Sequence, residues 1–209
     1  AYIQGAFRFL DYLRCKLKYP DIINRIIGYS YGIYFSTLLS KCSLIATHSY
    51  FTKKLVAIYA TNLKKQIYVI HPGIDTLKCI YSPKHDNYFL TVSRIDPLKR
   101  IDLIIEALKF LIDKYNIKMK LIIAGSVDKS NTTYLKKLMT LSRGYPVEFI
   151  LNPNEKQLLD LYRNAYAYVF ASDNEPFGIT PLEAMCYGKP IIVAVNDGGV
   201  FDYLVDGVN

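Results

Sequence analysis

The chain has no apolar run long enough to cross a bilayer; its longest uncharged stretch, Ile26–Ser40, is about fifteen residues. Gly28, Ser30, Gly32 and Ser36 interrupt it, so it reads as a buried or interfacial helix. There is no initiator Met and no signal-peptide pattern. Cys15, Cys42, Cys79 and Cys186 are scattered, with no C-x-x-C pair and no His at ligand spacing. The expectation is four free thiols in a reducing, cytoplasmic setting, and no metal centre. Repeats and low-complexity segments are also missing, which excludes solenoids and disordered arrays. Without a secretory signal, the sequon Asn131-Thr132-Thr133 carries little weight.

What is present is an ordinary globular balance: 209 residues, 51% apolar and 21% charged. The charge is unevenly placed. Residues 1–83 hold eleven Lys and Arg against three Asp, which is the whole net +8, and residues 84–209 hold fifteen of each sign. The basic part reads as a solvated face, or as a surface drawn to an anionic membrane or acidic acceptor. Nucleic acid is not expected, because no binding motif accompanies the charge.

From about Asn87 onward, short apolar runs alternate with helical patterns. Strands are expected over Tyr88–Ser93, Lys120–Ala124, Val147–Leu151, Tyr168–Ala171 and Ile191–Val195. Helices are expected over Asp102–Tyr115, Thr132–Ser142, Glu155–Asn164 and Pro181–Tyr187. Nearly continuous apolar strands separated by helices indicate a parallel, doubly wound α/β sheet covered on both faces. A ligand then belongs at the carboxyl ends of its strands. The first part has helix patterns at Phe35–Lys41 and Phe51–Tyr59 and strands at Leu44–Thr47 and Ile67–Ile70. It reads as the end of a second α/β domain, residues 1–80, ahead of a Rossmann-like domain over 84–209.

Two segments carry chemistry. Thr180-Pro181-Leu182-Glu183 reads as a helix start, with Thr180 as N-cap, Pro181 at the first helical position and Glu183 three residues after the cap. Free amides at such a helix end suit a phosphate, and Gly178 lets the backbone come close to a ligand. A plain capping box is the structural alternative for Glu183. The second segment, Ser93-Arg94-Ile95-Asp96-Pro97-Leu98-Lys99-Arg100, begins where the first strand of the domain ends. Arg94 and Lys99, across a turn containing Pro97, can converge on one anion or stand apart as surface charges.

The block EPFGITPLEAMCYGKPII, with Glu175 eight positions before Glu183, resembles the donor-binding domain of the retaining GT-B glycosyltransferases of the large family-four group (glycosyl transferases group 1). The likeness covers about residues 43–209 and is firmest over 84–209. It implies that Glu175 bonds donor-sugar hydroxyls and that amides near Phe177, Gly178, Ile179 and Thr180 face sugar and diphosphate. It further implies that Glu183 accepts from the ribose, that Arg94 and Lys99 grip the diphosphate, and that Gly125 and Leu151 lie beside nucleotide and base. Arg94, Lys99 and Glu175 are the candidate catalytic residues. Arg100 departs from the family's usual Gly or Asn, and Ser126-Val127-Asp128 from its usual continuation after Gly125. His71-Pro72-Gly73-Ile74-Asp75 resembles the turn that ends the family's first domain, with Pro72 where Asn is usual.

The activity so implied is metal-independent transfer of a sugar from a nucleotide diphosphate sugar to the hydroxyl of a glycan, lipid or other acceptor, with no cofactor. The alternatives are a non-catalytic nucleotide-sugar-binding module and a GT-B nucleotide-sugar 2-epimerase. Measured against the family plan, this stretch is expected to bind donor and not to transfer it unaided.

Overall fold

The computed structural model describes residues 32–60, 62–76, 80–194 and 198–208. They divide between His71 and Pro72 into two units.

The first unit is built from a helix over residues 32–40 (α1), strand β1 (Ile45–Thr47), helix α2 (Tyr50–Tyr59) and strand β2 (Ile67–Val69). The Ser49 hydroxyl accepts from the Thr52 amide at 3.0 Å and starts α2 as an N-cap. The strands pair in parallel, Ile45 opposite Ile67. Phe35, Leu39, Ile45, Val56, Ala60 and Ile67 close a small core. Of the uncharged stretch Ile26–Ser40, residues 26–31 lie outside the described residues and the remainder is α1.

The second unit alternates strand and helix as its sequence pattern requires. It runs β3 (Tyr88–Val92), α3 (Ile101–Tyr115), β4 (Lys120–Gly125), α4 (Thr132–Leu141), β5 (Val147–Leu151) and α5 (Glu155–Asn164). It continues through β6 (Ala167–Phe170), α6 (Ile179–Cys186) and β7 (Ile191–Val193). All five strands are parallel, in the order β5-β4-β3-β6-β7.

Side chains alternate across the sheet with period two. Leu90, Val92, Ile122, Ala124, Tyr168 and Phe170 face one layer with Tyr162 of α5 and Ala184 of α6. Leu121 and Ile123 face the other layer with Ile104, Ile105 and Leu108 of α3 and Leu135 and Leu138 of α4. The sheet is therefore doubly wound. Its strand order reverses direction between β3 and β6, and in open α/β sheets that switch point opens a crevice at the carboxyl ends. The loops leaving β3 and β6 are the two segments singled out in the sequence.

Candidate functional site

The loop after β3 is shaped by its own side chains. Asp96 accepts from the Leu98 amide at 2.9 Å and begins a single 3-10 turn, Pro97–Lys99, with proline at its start. Arg100 then adopts φ 50 and ψ 39 before α3 begins. That left-handed conformation favours Gly or Asn, which gives a physical reason for the usual residue at this position and marks Arg100 as strained.

The loop after β6 bends through Asn174, also left-handed at φ 48, and delivers Glu175 back toward the β3 loop. The Asp173 amide donates to the Leu98 carbonyl at 2.8 Å, tying the two loops together by backbone. Lys99 Nζ then donates to Glu175 Oε2 in a largely buried ion pair. One motif cation and one motif carboxylate meet directly across the switch point. Arg94 lies apart from this pair, 3.6 Å from Asp128 with both side chains about half exposed. The two cations expected on one anion thus have separate partners here.

Gly198-Gly199 supports the Glu175 loop from behind. The Gly199 amide donates to the Glu175 carbonyl at 2.8 Å. A Cβ on Gly199 would stand 2.0 Å from the Pro176 oxygen, so only glycine permits this approach. Phe177 is buried with its ring 5.1 Å from that of Tyr203, whose hydroxyl donates to the Gly178 carbonyl.

Helix α6 starts two residues earlier than the sequence pattern suggests. Gly178, at φ 82 and ψ 76, is the N-cap and makes no side-chain cap bond; Pro181 falls at the third helical position. Thr180 is not the cap because its hydroxyl is taken from inside: the fully buried Tyr168 donates to it at 2.7 Å. Glu183 closes no capping box either. Its Oε2 accepts instead from the Tyr162 hydroxyl at 2.7 Å.

Glu183 and Ile179 line a pocket of about 350 Å³ with Leu158, Leu159 and Tyr162 of α5 and Gly73, Ile74 and Asp75. Tyr162 is stacked on Tyr187 at 6.0 Å and 4°, and lies 5.9 Å from Tyr168. Burial drives the phenol pKa of both Tyr162 and Tyr168 far upward, and the negative charge of Glu183 adds to it. Both remain protonated donors through the physiological range.

Gly125 and Leu151 lie opposite one another at the ends of β4 and β5. Gly125 has φ 152, and a Cβ there would stand 1.7 Å from the Ser93 carbonyl oxygen. This glycine is what lets the end of β4 lie against the start of the Arg94 loop. Leu151 is partly exposed, and the Asn152 amide closes the strand end by donating to the Gly125 carbonyl at 2.9 Å.

Comparison with known proteins adds to this geometry. Residues 78–209 match the family model described as glycosyl transferases group 1. The chain belongs to the glycosyl transferases group 1 family. It is 31% identical over 180 residues to the O-antigen chain mannosyltransferase RfbU of Salmonella typhimurium, covering 84% of this chain and 48% of that protein. It is 32% identical over 204 residues to the alpha-1,3/1,6-mannosyltransferase alg-2 of Neurospora crassa, covering 78% and 43%. The chain spans about half the length of such relatives. The crystal structure of Anabaena HepE in complex with UDP and glucose superposes with a TM-score of 0.70 at 21% identity, over 87% of this chain and 52% of that one. The fold is that of the GT-B glycosyltransferases, as the family membership leads one to expect.

Two expectations need correction. Cys186, beside the pocket, is disulfide-bonded, whereas Cys42 is free. Scattered spacing in sequence does not show which cysteines the fold brings together. Thr180 as the N-cap is the other: Gly178 holds that position, and the Thr180 hydroxyl accepts from Tyr168 inside the fold.

Sequence reasoning missed Tyr162, Tyr168 and Tyr203. Lys189 is buried, with Nζ donating to the carbonyls of Ser82 and Lys84 at 2.9 and 2.8 Å, and desolvation lowers its pKa. Apolar periodicity marks the tyrosines as core but is silent about where their hydroxyls point. No helix among the described residues is long and apolar enough to cross a membrane.

Proposed function

We propose that this chain is the donor-binding part of a retaining glycosyltransferase that moves a sugar from a nucleoside diphosphate sugar to an acceptor hydroxyl. The observation that carries the reading is the Lys99–Glu175 ion pair, which joins the two motif loops across the switch point of a family-matched fold. Lys99 and Arg94 meet the diphosphate, and the amides of Gly178, Ile179 and Thr180 add the partial positive charge of the α6 start. Glu175 accepts from hydroxyls of the sugar. Glu183, in its pocket, accepts from the ribose. A carboxylate suits both tasks because ionised acceptors make the stronger bonds to hydroxyl donors.

In the reaction so read, the bond from the anomeric carbon to the diphosphate oxygen breaks as the acceptor oxygen bonds to that carbon on the same face. The acceptor proton passes to the departing phosphate. Lys99 and Arg94 stabilise the charge that grows on the leaving group, so no bound metal is required of the mechanism. Glu175 serves as a holding group and not as a nucleophile, which distinguishes the scheme from double displacement in retaining glycosidases.

RfbU and alg-2 are mannosyltransferases, and the HepE crystals hold UDP and glucose. A thermal-shift panel of UDP, GDP and ADP with their glucose and mannose derivatives decides between these donors. At one hundred times its dissociation constant, the true donor adds about 2.7 kcal/mol of stability. If none of these ligands stabilises the chain, the donor-binding reading fails.

A further inference from the structure

We propose that Tyr162 is a positioning residue that fixes the Glu183 carboxylate for the ribose hydroxyls and thereby sets the preference for ribose over deoxyribose. The inference rests on the donor-binding reading of Glu183 given above.

Tyr162 sits in α5, is 2% exposed, and sends its hydroxyl to Glu183 Oε2 at 2.7 Å. Its ring cannot swing away: it is stacked parallel on Tyr187 and tilted against Tyr168. A glutamate on the first turns of a short helix has three rotatable bonds and would otherwise sweep the pocket it lines. The phenol occupies one lone pair of one oxygen and so selects one orientation of the carboxylate plane. A vicinal diol needs such a fixed plane, because two hydroxyls must find acceptors at the same moment. A mobile carboxylate meets one hydroxyl nearly as well as two. Burial keeps the phenol protonated, so the donor persists across the pH range of any assay. The α5 pattern alone explains an apolar ring at position 162. It does not explain a hydroxyl aimed at the one carboxylate of the pocket that α6 supplies.

The test uses the 209-residue chain and the nucleoside diphosphate that performs best in the panel, with its 2′-deoxy and 3′-deoxy analogues. Dissociation constants are measured by titration calorimetry for the wild type, Tyr162→Phe and Glu183→Gln, alongside unliganded melting. Tyr162→Phe keeps the ring stack and removes one oxygen. It is expected to weaken the ribonucleotide about five- to tenfold and the deoxy analogues hardly at all, so that discrimination is lost. Glu183→Gln is expected to lose the discrimination as well. If Glu183→Gln loses it while Tyr162→Phe keeps it, the role given to Tyr162 is overturned and the donor reading stands. If Glu183→Gln keeps it, the ribose assignment itself falls. A Phe variant that no longer folds also overturns the proposal, because the hydroxyl would then serve the core and not the ligand.

Discussion

The two ends of the Glu175–Glu183 segment are held by opposite means. Glu175 lies in an irregular loop against an ammonium, in a contact between charges of opposite sign. Glu183 lies on a helix against a neutral phenol in an aromatic stack. An ion pair in a crevice can be exchanged when a more highly charged anion arrives, since the diphosphate competes for the same cation. A phenol has nothing to exchange; it fixes a direction. One end of the segment is built to respond to the ligand and the other to hold still for it.

Alkaline pH tests the second end and gives the largest effect. Burial raises the pKa of Tyr162 and Tyr168 above their ordinary value of 10.0. Their stabilising contribution is therefore complete below pH 10 and is lost progressively above it, where the unfolded chain ionises and the folded one does not. The two together cost about 3 kcal/mol for each pH unit past that point. A chemical-denaturation series from pH 9 upward, followed by tyrosinate absorbance, should show a steep fall with ionisation coupled to unfolding.

Lys99→Ala breaks the first end. It removes a charge-assisted contact to the diphosphate and leaves Glu175 facing it, so affinity for the nucleoside diphosphate should fall about 100-fold. Arg94→Ala, whose side chain is about half exposed, should cost less, about tenfold. Calorimetry on both variants ranks the two cations, and equal losses would erase the distinction drawn between them.

The smallest effect tests the loop that presents Lys99. Arg100 holds a left-handed conformation at φ 50, so Arg100→Gly should raise stability by about 1 kcal/mol without weakening nucleotide binding. A loss of stability would show that the Arg100 side chain contributes packing that outweighs its strain.

Much of this was legible in the sequence, for reasons that differ by residue. The apolar runs from Tyr88 to Ile192 announce a two-faced sheet because every strand is covered on both sides. Arg94, Lys99, Glu175 and Glu183 stand out because their order and spacing match a family. Their partners do not stand out. Lys99 meets Glu175 across 76 residues, and Tyr162 meets Glu183 across 21. Such pairings depend on strand order, which apolar periodicity does not contain. The start of α6 was misread because the hydroxyl of Thr180 is drawn inward by Tyr168, a contact between a strand and the helix twelve residues on. The disulfide at Cys186 was hidden for the same kind of reason.

The strand order also bears on how the protein acquires its site in time. The pairing of β3 with β6 closes a loop of more than seventy residues, while each neighbouring strand–helix–strand unit closes a far shorter one. Long closures cost more chain entropy and form later. A refolding chain should therefore gain helical signal before it gains any affinity for a nucleoside diphosphate, since Lys99 and Glu175 come from the two strands that meet across the longest span. Nucleotide affinity then serves as a clock for the last step of sheet assembly.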